Sequence, residues 1–329
     1  MLILSFESSC DETSVAVTRD GKEVLSNVVL SQIDIFKEYG GVVPEISSRE
    51  HVKGITHVYK KALEDAKATI DDIDYIAVTE GPGLIGSLLT GINAAKVVAL
   101  NENKPLVGVN HLSGHIYSSR IDHKLTFPLL AVLISGGHTE LVIMNDDYDF
   151  NRIGSTLDDA VGEVFDKTAR ILGLPYPGGP LIDKIGKEGQ NIYNLPRPMQ
   201  HTNDYNFSFS GLKSAVAKLI YDLDEAKTSY RKEDIARSFE EAVADTLLTK
   251  ARNAIKEFNV KEVVVVGGSA ANSVIRDTLS NNLKGVKVTF PLLKYCGDNA
   301  AMIGISAYYK IKKGLIDDMS LSAKSRLDL

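Results

Sequence analysis

Apolar residues recur along the chain with two periods, alternating in short runs and falling every three to four residues in longer ones. Residues 2–18 (LILSFESSCDETSVAVT) read as an apolar strand, a polar turn and an alternating return strand. Residues 129–144 (LLAVLISGGHTELVIM) repeat the design, with Thr13 matching Thr139 and Val15 matching Leu141. Two hairpins opening two halves suggest a duplicated domain with a cleft between the copies; chance recurrence of a common motif is the alternative.

Between the hairpins, Pro44-Glu45 suits the first turn of a helix, and Val52, Ile55, Tyr59, Ala62 and Leu63 then share one face. Residues 74–79 predict a strand ending in the turn Glu80-Gly81-Pro82-Gly83. A helix of small residues follows from Gly86 to Leu100, then a strand from Leu106 to Val109 that stops at Asn110. The second half predicts a helix from Leu157 to Leu172, a loop with Tyr176-Pro177-Gly178-Gly179-Pro180, and an irregular stretch to about Ser210. A long amphipathic helix (Ile235 to Phe258) then leads into a buried strand (Glu262 to Val266), Gly267-Gly268 and a helix from Asn272 to Leu283. A last helix, Asp298 to Lys312, is expected to cross back to the first lobe. Strands alternating with helices give α/β layers.

The 329 residues, 44% of them apolar, suffice to bury roughly three-quarters of the unfolded surface. Two lobes are expected, and disordered or fibrous classes are excluded. Lys plus Arg total 37 against 43 for Asp plus Glu, a net charge of −6. That balance opposes a free-standing cationic nucleic-acid binder, while leaving room for a nucleic-acid substrate held by a local patch or a partner. Cys10 and Cys296 are too few for a disulfide framework or a cysteine-ligated zinc module. Met1 to Phe6 runs into Glu7 with no basic leader, and runs such as Leu129 to Ile134 reach about a third of the ~20 residues a bilayer span needs. A cytoplasmic protein without a membrane segment is expected.

Four groups of residues offer chemistry. His111 and His115, four apart after a strand, share a helix face and can either pair structurally or hold a metal. The Glu beside the first His in zinc proteases is missing. Asp298, in the turn Cys296-Gly297-Asp298-Asn299, is either a third ligand or a helix cap. Gly136-Gly137, Gly178-Gly179 and Gly267-Gly268 let backbone N–H groups approach a phosphate or ribose, or simply make tight turns. Asp159, Glu163 and Asp166 are placed on one helix, as a solvated face with Asp166 beside Arg170. Asp11 and Glu12 are turn residues or carboxylates facing a phosphate. Basic residues are scattered, and the thiols of Cys10 and Cys296 read as small buried groups.

Glu7-Ser8-Ser9-Cys10-Asp11-Glu12-Thr13, Gly40 to Glu45, Gly81 to Leu84, His111 to His115, Ser135 to Thr139, Phe165-Asp166-Lys167, Tyr176 to Pro180, Phe207 to Lys213 and Asp298 to Met302 together resemble the TsaD family of tRNA threonylcarbamoyladenosine transferases, in its bacterial or organellar branch. The resemblance spans residue 1 to about 310. It implies two actin-like (ASKHA, RNase H-like) α/β lobes with a nucleotide cleft between them: 1–125 plus about 305–329, with the metal histidines and the partner surface, and 126–304, with the nucleotide turns. It implies transfer of the threonylcarbamoyl group from threonylcarbamoyl-adenylate to the exocyclic amine of the adenosine 3′ of the anticodon, in tRNAs reading codons that begin with A. AMP leaves. His111, His115 and Asp298 are then ligands of one divalent metal, iron or zinc. Leu133, Ile134, Ser135, Gly136 and Gly137 form the ligand-binding turn, and Asp166, Gly179, Asp183 and Asn272 contact the nucleotide, whether ATP, AMP or the acyl-adenylate. Asp11 is the candidate to orient the amine or take its proton. The implied partners are tRNA, a TsaB-like paralogue paired through helices of the first lobe, a TsaE-like ATPase and a synthase of the adenylate. A metal-dependent glycoprotein endopeptidase, the family's historical label, and an ATP-binding actin-fold scaffold are the competing functions, with a sugar kinase behind them.

Overall fold

Two five-stranded sheets with the same internal plan frame the protein, seen in a computed structural model that describes residues 1–121 and 123–329. The first unit comprises Met1–Leu125 and Pro291–Leu329, the second Thr126–Phe290. The chain therefore rejoins the first unit at residue 291, ahead of the expected crossing near 305, and Asp298 belongs to the first unit.

The first unit begins with β1 (Leu2–Glu7), β2 (Glu12–Arg19), β3 (Glu23–Ser31), α1 (Ile33–Tyr39) and α2 (Pro44–Ala66). It continues with β4 (Tyr75–Gly81), α3 (Ile85–Asn101), β5 (Leu106–Asn110) and α4 (His111–Ser118). Its sheet runs β3-β2-β1-β4-β5, antiparallel through the hairpins and parallel through β1, β4 and β5. Alternation decides the layers. Leu4 and Phe6 of β1, with Val15, Ile76 and Val78, meet Ile55, Val58 and Ala62 of α2 and Leu88 and Ile92 of α3.

The second unit contains β6 (Leu129–Ile134), β7 (Thr139–Met144), β8 (Phe150–Ser155), α5 (Val161–Ile171), α6 (Gly178–Gly186) and α7 (Ser210–Glu225). Then come α8 (Lys232–Phe258), β9 (Glu262–Val266), α9 (Ser273–Asn282) and β10 (Lys287–Thr289). The order β8-β7-β6-β9-β10, with β6 antiparallel to β7 and parallel to β9, reproduces the first sheet strand for strand. Every residue of β6 and β9 is buried, as expected of strands covered on both faces.

Back in the first unit, α10 (Ala300–Lys312) covers the other face of the first sheet, where Ile3, Ala77, Val107 and Val109 meet Met302, Ile303, Ala307 and Ile311. The last residues run along β4 and α4. The Lys324 amide donates to the Glu80 carbonyl at 2.8 Å, and Asn110 Nδ2 donates to the carbonyls of Leu327 (3.3 Å) and Asp328 (3.0 Å).

Several elements depart from the sequence reading. The strands β3 and β8 were not expected, and α6 and α7 occupy stretches expected to be irregular or left unassigned. Helix α5 starts at Val161 rather than Leu157, so Asp159 precedes the helix that carries Glu163 and Asp166. Val52, placed on the apolar face of α2, is 64% exposed. Among the described residues no helix is long and apolar enough to cross a membrane.

Candidate functional site

Close packing of two helices assembles the histidines and the carboxylate. Asn110 Oδ1 accepts from the Leu112 amide at 2.8 Å and caps α4, whose first residue is His111. Between the two histidines lies Gly114, where a Cβ would come within 2.8 Å of Ile303 Cδ1 on α10. Its missing side chain lets α10 approach, and Ser113 Oγ meets Ser306 Oγ at 3.0 Å across the contact. Asn299, not Asp298, caps α10, accepting from the Met302 amide at 3.1 Å. Asp298 is thus spared the capping duty that the sequence allowed it.

Asp298 Oδ1 lies 3.4 Å from His111 Nε2 and 3.2 Å from His115 Nε2, and one ligand atom from each residue falls within 4.8 Å of the others. Burial raises the Asp298 carboxyl, but the His111 charge and the two imidazoles facing it outweigh this and hold it far below the usual range. His111 Nδ1 faces Glu7 Oε2 at 3.1 Å. A carboxylate only accepts, so Nδ1 carries a proton. Burial alone would lower the ring's pKa, but the Asp298 and Glu7 charges outweigh it and raise the ring well above its ordinary value, and a cation at Nε2 would take the place of its second proton. Neither nitrogen of wholly buried His115 makes an aligned hydrogen bond, although Nε2 points at the same carboxylate oxygen. Two imidazole Nε2 atoms converging on one carboxylate oxygen, one ring braced by a carboxylate, suit a divalent cation.

Glu7 is the residue that sequence reasoning missed. It ends β1 fully buried, with Oε1 accepting from the Ser9 amide and Oε2 from Thr79 Oγ1, both at 2.5 Å. Burial pushes its carboxyl up, and the His111 charge and hydrogen bond more than offset this. The available signal was a lone carboxylate closing an otherwise apolar strand.

In the turn after β1, burial raises both Asp11 and Glu12. The Asp298 charge adds to the effect on both, and the Asp11 charge to that on Glu12. Asp11 is therefore a stronger base than an ordinary carboxylate. Burial also lifts the neighbouring Cys10 thiol well above its ordinary value, which makes it inert, and Cys296 is buried.

In the second unit, Ser135-Gly136-Gly137-His138 closes the β6–β7 hairpin, the Ser135 amide donating to the His138 carbonyl at 2.8 Å. Gly136 and Gly137 are exposed, with nothing near the places a Cβ would take. Leu133 and Ile134 are buried strand residues that support this turn rather than face solvent. Thr139 Oγ1 and the Ser135 carbonyl take the first amides of α5, those of Val161 and Gly162, at 2.8 and 3.1 Å. At the end of β9, Gly267 has φ +96°, and a Cβ there would lie 2.4 Å from the Ile134 carbonyl oxygen, so only glycine fits.

Asp166 Oδ1 accepts from the amides of Gly178 (2.7 Å) and Gly179 (3.4 Å) and holds the start of α6 in place. Asp183 Oδ1 accepts from both the amide and hydroxyl of Ser273, and its other oxygen pairs with Lys187 at 2.9 Å. Asn272 caps α9 through Oδ1 and donates to Glu240 Oε1 at 2.6 Å. Asp183 and Asn272 thus lock α6, α8 and α9 together, which leaves backbone groups as the main contacts open to a ligand. Glu240 is fully buried, and burial pushes its carboxyl up to about 8.

The motif Phe207 to Lys213 fastens α7. Asp158 accepts from Ser208 Oγ and Ser210 Oγ at 2.6 Å and from the Phe209 amide at 2.8 Å. These bonds outweigh burial and lower Asp158 to about 2. Asp159 binds Lys167 (2.7 Å) and Lys213 (3.2 Å), and Lys167 also reaches Glu163.

Residues 23–305 match the family described as TsaD, tRNA N6-adenosine threonylcarbamoyltransferase. The protein of that name from Staphylococcus epidermidis is 50% identical over 330 residues, covering 100% of this chain and 97% of its own length. One from Staphylococcus aureus is 49% identical over 331 residues with the same coverage. Among solved structures, component A of the (R)-2-hydroxyglutaryl-CoA dehydratase of Acidaminococcus fermentans aligns with a TM-score of 0.60 at 17% identity, over 95% of this chain and 99% of that one. Full-length HypF in its phosphate- and nucleotide-bound form aligns at 0.64 and 15% identity, over 95% and 46%. These likenesses show the actin-like α/β fold. With half its residues shared along its whole length, the chain belongs to the TsaD family of tRNA N6-adenosine threonylcarbamoyltransferases.

Proposed function

We infer that this protein transfers the threonylcarbamoyl group of threonylcarbamoyl-adenylate to N6 of the adenosine 3′ of the anticodon in tRNAs reading codons that begin with A. The observation that carries this reading is the full-length identity to transferases of that name, joined to an intact His111–His115–Asp298 cluster. The amine forms a bond to the carbamoyl carbon, its proton leaves, and the carbon–oxygen bond to phosphate breaks, releasing AMP. The acyl group arrives activated as a mixed anhydride, so positioning and charge stabilisation dominate the protein's task.

His111, His115 and Asp298 would hold one divalent cation, iron or zinc, supplying Lewis-acid stabilisation of the departing phosphate. Asp11 is assigned the N6 proton, a role supported by its burial and raised basicity. In the second unit, the open Gly136-Gly137 and Gly268 would offer backbone amides to the nucleotide, beside the Gly178-Gly179 turn that Asp166 holds and the helices that Asp183 and Asn272 brace. The first unit is then the metal- and partner-bearing lobe, and the second the nucleotide-bearing one. A TsaB-like paralogue, a TsaE-like ATPase and a synthase that makes the adenylate complete the system, in the cytoplasm.

The test is reconstitution with synthase, paralogue, ATPase, threonine, bicarbonate, ATP and tRNA, followed by nucleoside mass analysis. Threonylcarbamoyladenosine is expected with the native chain and forms far more slowly, at a measurable residual rate, with Asp11→Asn. A complete system that yields none overturns the reading, and full activity of Asp11→Asn removes Asp11 from it.

A further inference from the structure

Behind the Asp11 turn lies a buried imidazole that the mechanism above does not use. His51, on α2, is wholly inaccessible. Its Nε2 lies 2.9 Å from the Cys10 carbonyl oxygen, and its Nδ1 lies 2.7 Å from Thr13 Oγ1. A carbonyl can only accept, so Nε2 carries the proton and Nδ1 accepts from the Thr13 hydroxyl. Burial lowers the pKa of the ring and favours this neutral form.

The same carbonyl takes a second bond, from Ser47 Oγ at 2.5 Å, one helical turn before His51. Ser47 Oγ in turn meets Ser87 Oγ of α3 at 3.1 Å, and Ser8 Oγ donates to the Ser87 carbonyl at 2.8 Å. The turn is therefore gripped at Ser8, Cys10 and Thr13, the residues on either side of Asp11. The Cys10 carbonyl belongs to the peptide group that leads into Asp11, so fixing its direction fixes the backbone from which that carboxylate projects.

We propose that His51 is a positioning residue of the transfer reaction, holding the Cys10–Asp11 peptide from α2 so that the Asp11 carboxylate stays aimed at the reacting amine. This rests on the role assigned to Asp11. Glutamine is the one replacement that keeps the pattern, since its amide can donate to the Cys10 carbonyl and accept from Thr13.

The experiment measures kcat and KM for threonylcarbamoyl-adenylate in the complete reconstituted system, with bound metal counted in each variant. His51→Ala is expected to lower kcat at least tenfold with KM and metal content unchanged, and His51→Gln to recover kcat to within about threefold of native. The double variant His51→Ala/Asp11→Asn should be no slower than Asp11→Asn alone, because the imidazole acts through that carboxylate. Native kcat in His51→Ala, no recovery in His51→Gln, or an additive loss in the double variant overturns the proposal. If Asp11→Asn keeps its turnover, the proton-acceptor assignment falls; if Asp11→Asn is slow and His51→Ala is not, the positioning role falls. Should His51→Ala fail to fold, Thr13→Val removes the bond to the ring, and Ser47→Ala removes the second bond to the Cys10 carbonyl together with the Ser87 contact. Each is expected to lower kcat severalfold at constant KM, and native kcat in both overturns the proposal.

Discussion

Single side chains in this protein take their chemical state from what buries them. Glu7 braces His111 from behind, so Glu7→Gln should weaken metal binding by about 10- to 100-fold, read by competition with a chromogenic chelator, while the far-ultraviolet spectrum stays native. Unchanged affinity would show that the ring needs no brace. Glu240 gives a second expectation. Its folded pKa, about 8, lies above the ordinary 4.5, so its contribution to stability is complete below about pH 4.5 and is lost as pH rises through 8. The slope is about 1.4 kcal/mol per pH unit, with Asp183, Arg237 and Lys187 as the charged neighbours. Glu240→Gln, which has no proton to lose, should flatten that decline in urea titrations at several pH values; an equal decline in the variant would assign it to other groups. At this scale the sequence was legible where spacing carries the signal, as for His111 and His115. It was silent on Glu7 and His51, because their partners lie 104 and 38 residues away.

Elements are joined here by small residues at close approach. Gly267 lets the end of β9 pass over the Ile134 carbonyl. Gly267→Ala combines a positive φ with a backbone clash, and should cost about 1–3 kcal/mol. The same change should weaken AMP binding measured by calorimetry; native affinity would mean that the turn takes no part in holding the nucleotide. The matching threonines of the two hairpins also acquire a purpose: Thr139 tethers the start of α5, and Thr13 tethers His51 of α2. Both returning strands use the shared hydroxyl to tie down a helix that follows. Apolar periodicity exposed most strands and the long helices. It missed β3, where Val28, Val29 and Leu30 run together without alternation and Val29 and Leu30 stay exposed, and α6 and α7, which begin at glycine and serine after proline-rich or polar stretches.

The whole molecule carries its duplication openly, since the echo of two hairpins corresponds to two sheets of the same strand order. What the sequence concealed is the outward side of α2 and α3, where Val52, Leu89 and Val97 lie exposed around an apolar hollow of about 590 Å³. Val52 fits the inward helical stripe by spacing, and only the packing shows that it faces out. Under the proposed function, this face is where the TsaB-like paralogue would seat. Leu89→Asp with Val97→Asp should abolish co-elution with that paralogue on gel filtration and leave the thermal midpoint of the isolated chain within about 2 °C; retained co-elution would move the interface elsewhere. A practical rule for handling the protein follows from Asn110, which reaches Leu112 with its carbonyl and the backbone of Leu327 and Asp328 with its amide. Removing residues 327–329 would strip both amide bonds from the residue that caps the histidine helix, whereas the pairs of the Met1 amine with Asp20 and Asp74 lie at the surface. Metal affinity is therefore best compared on preparations that keep residues 327–329 intact.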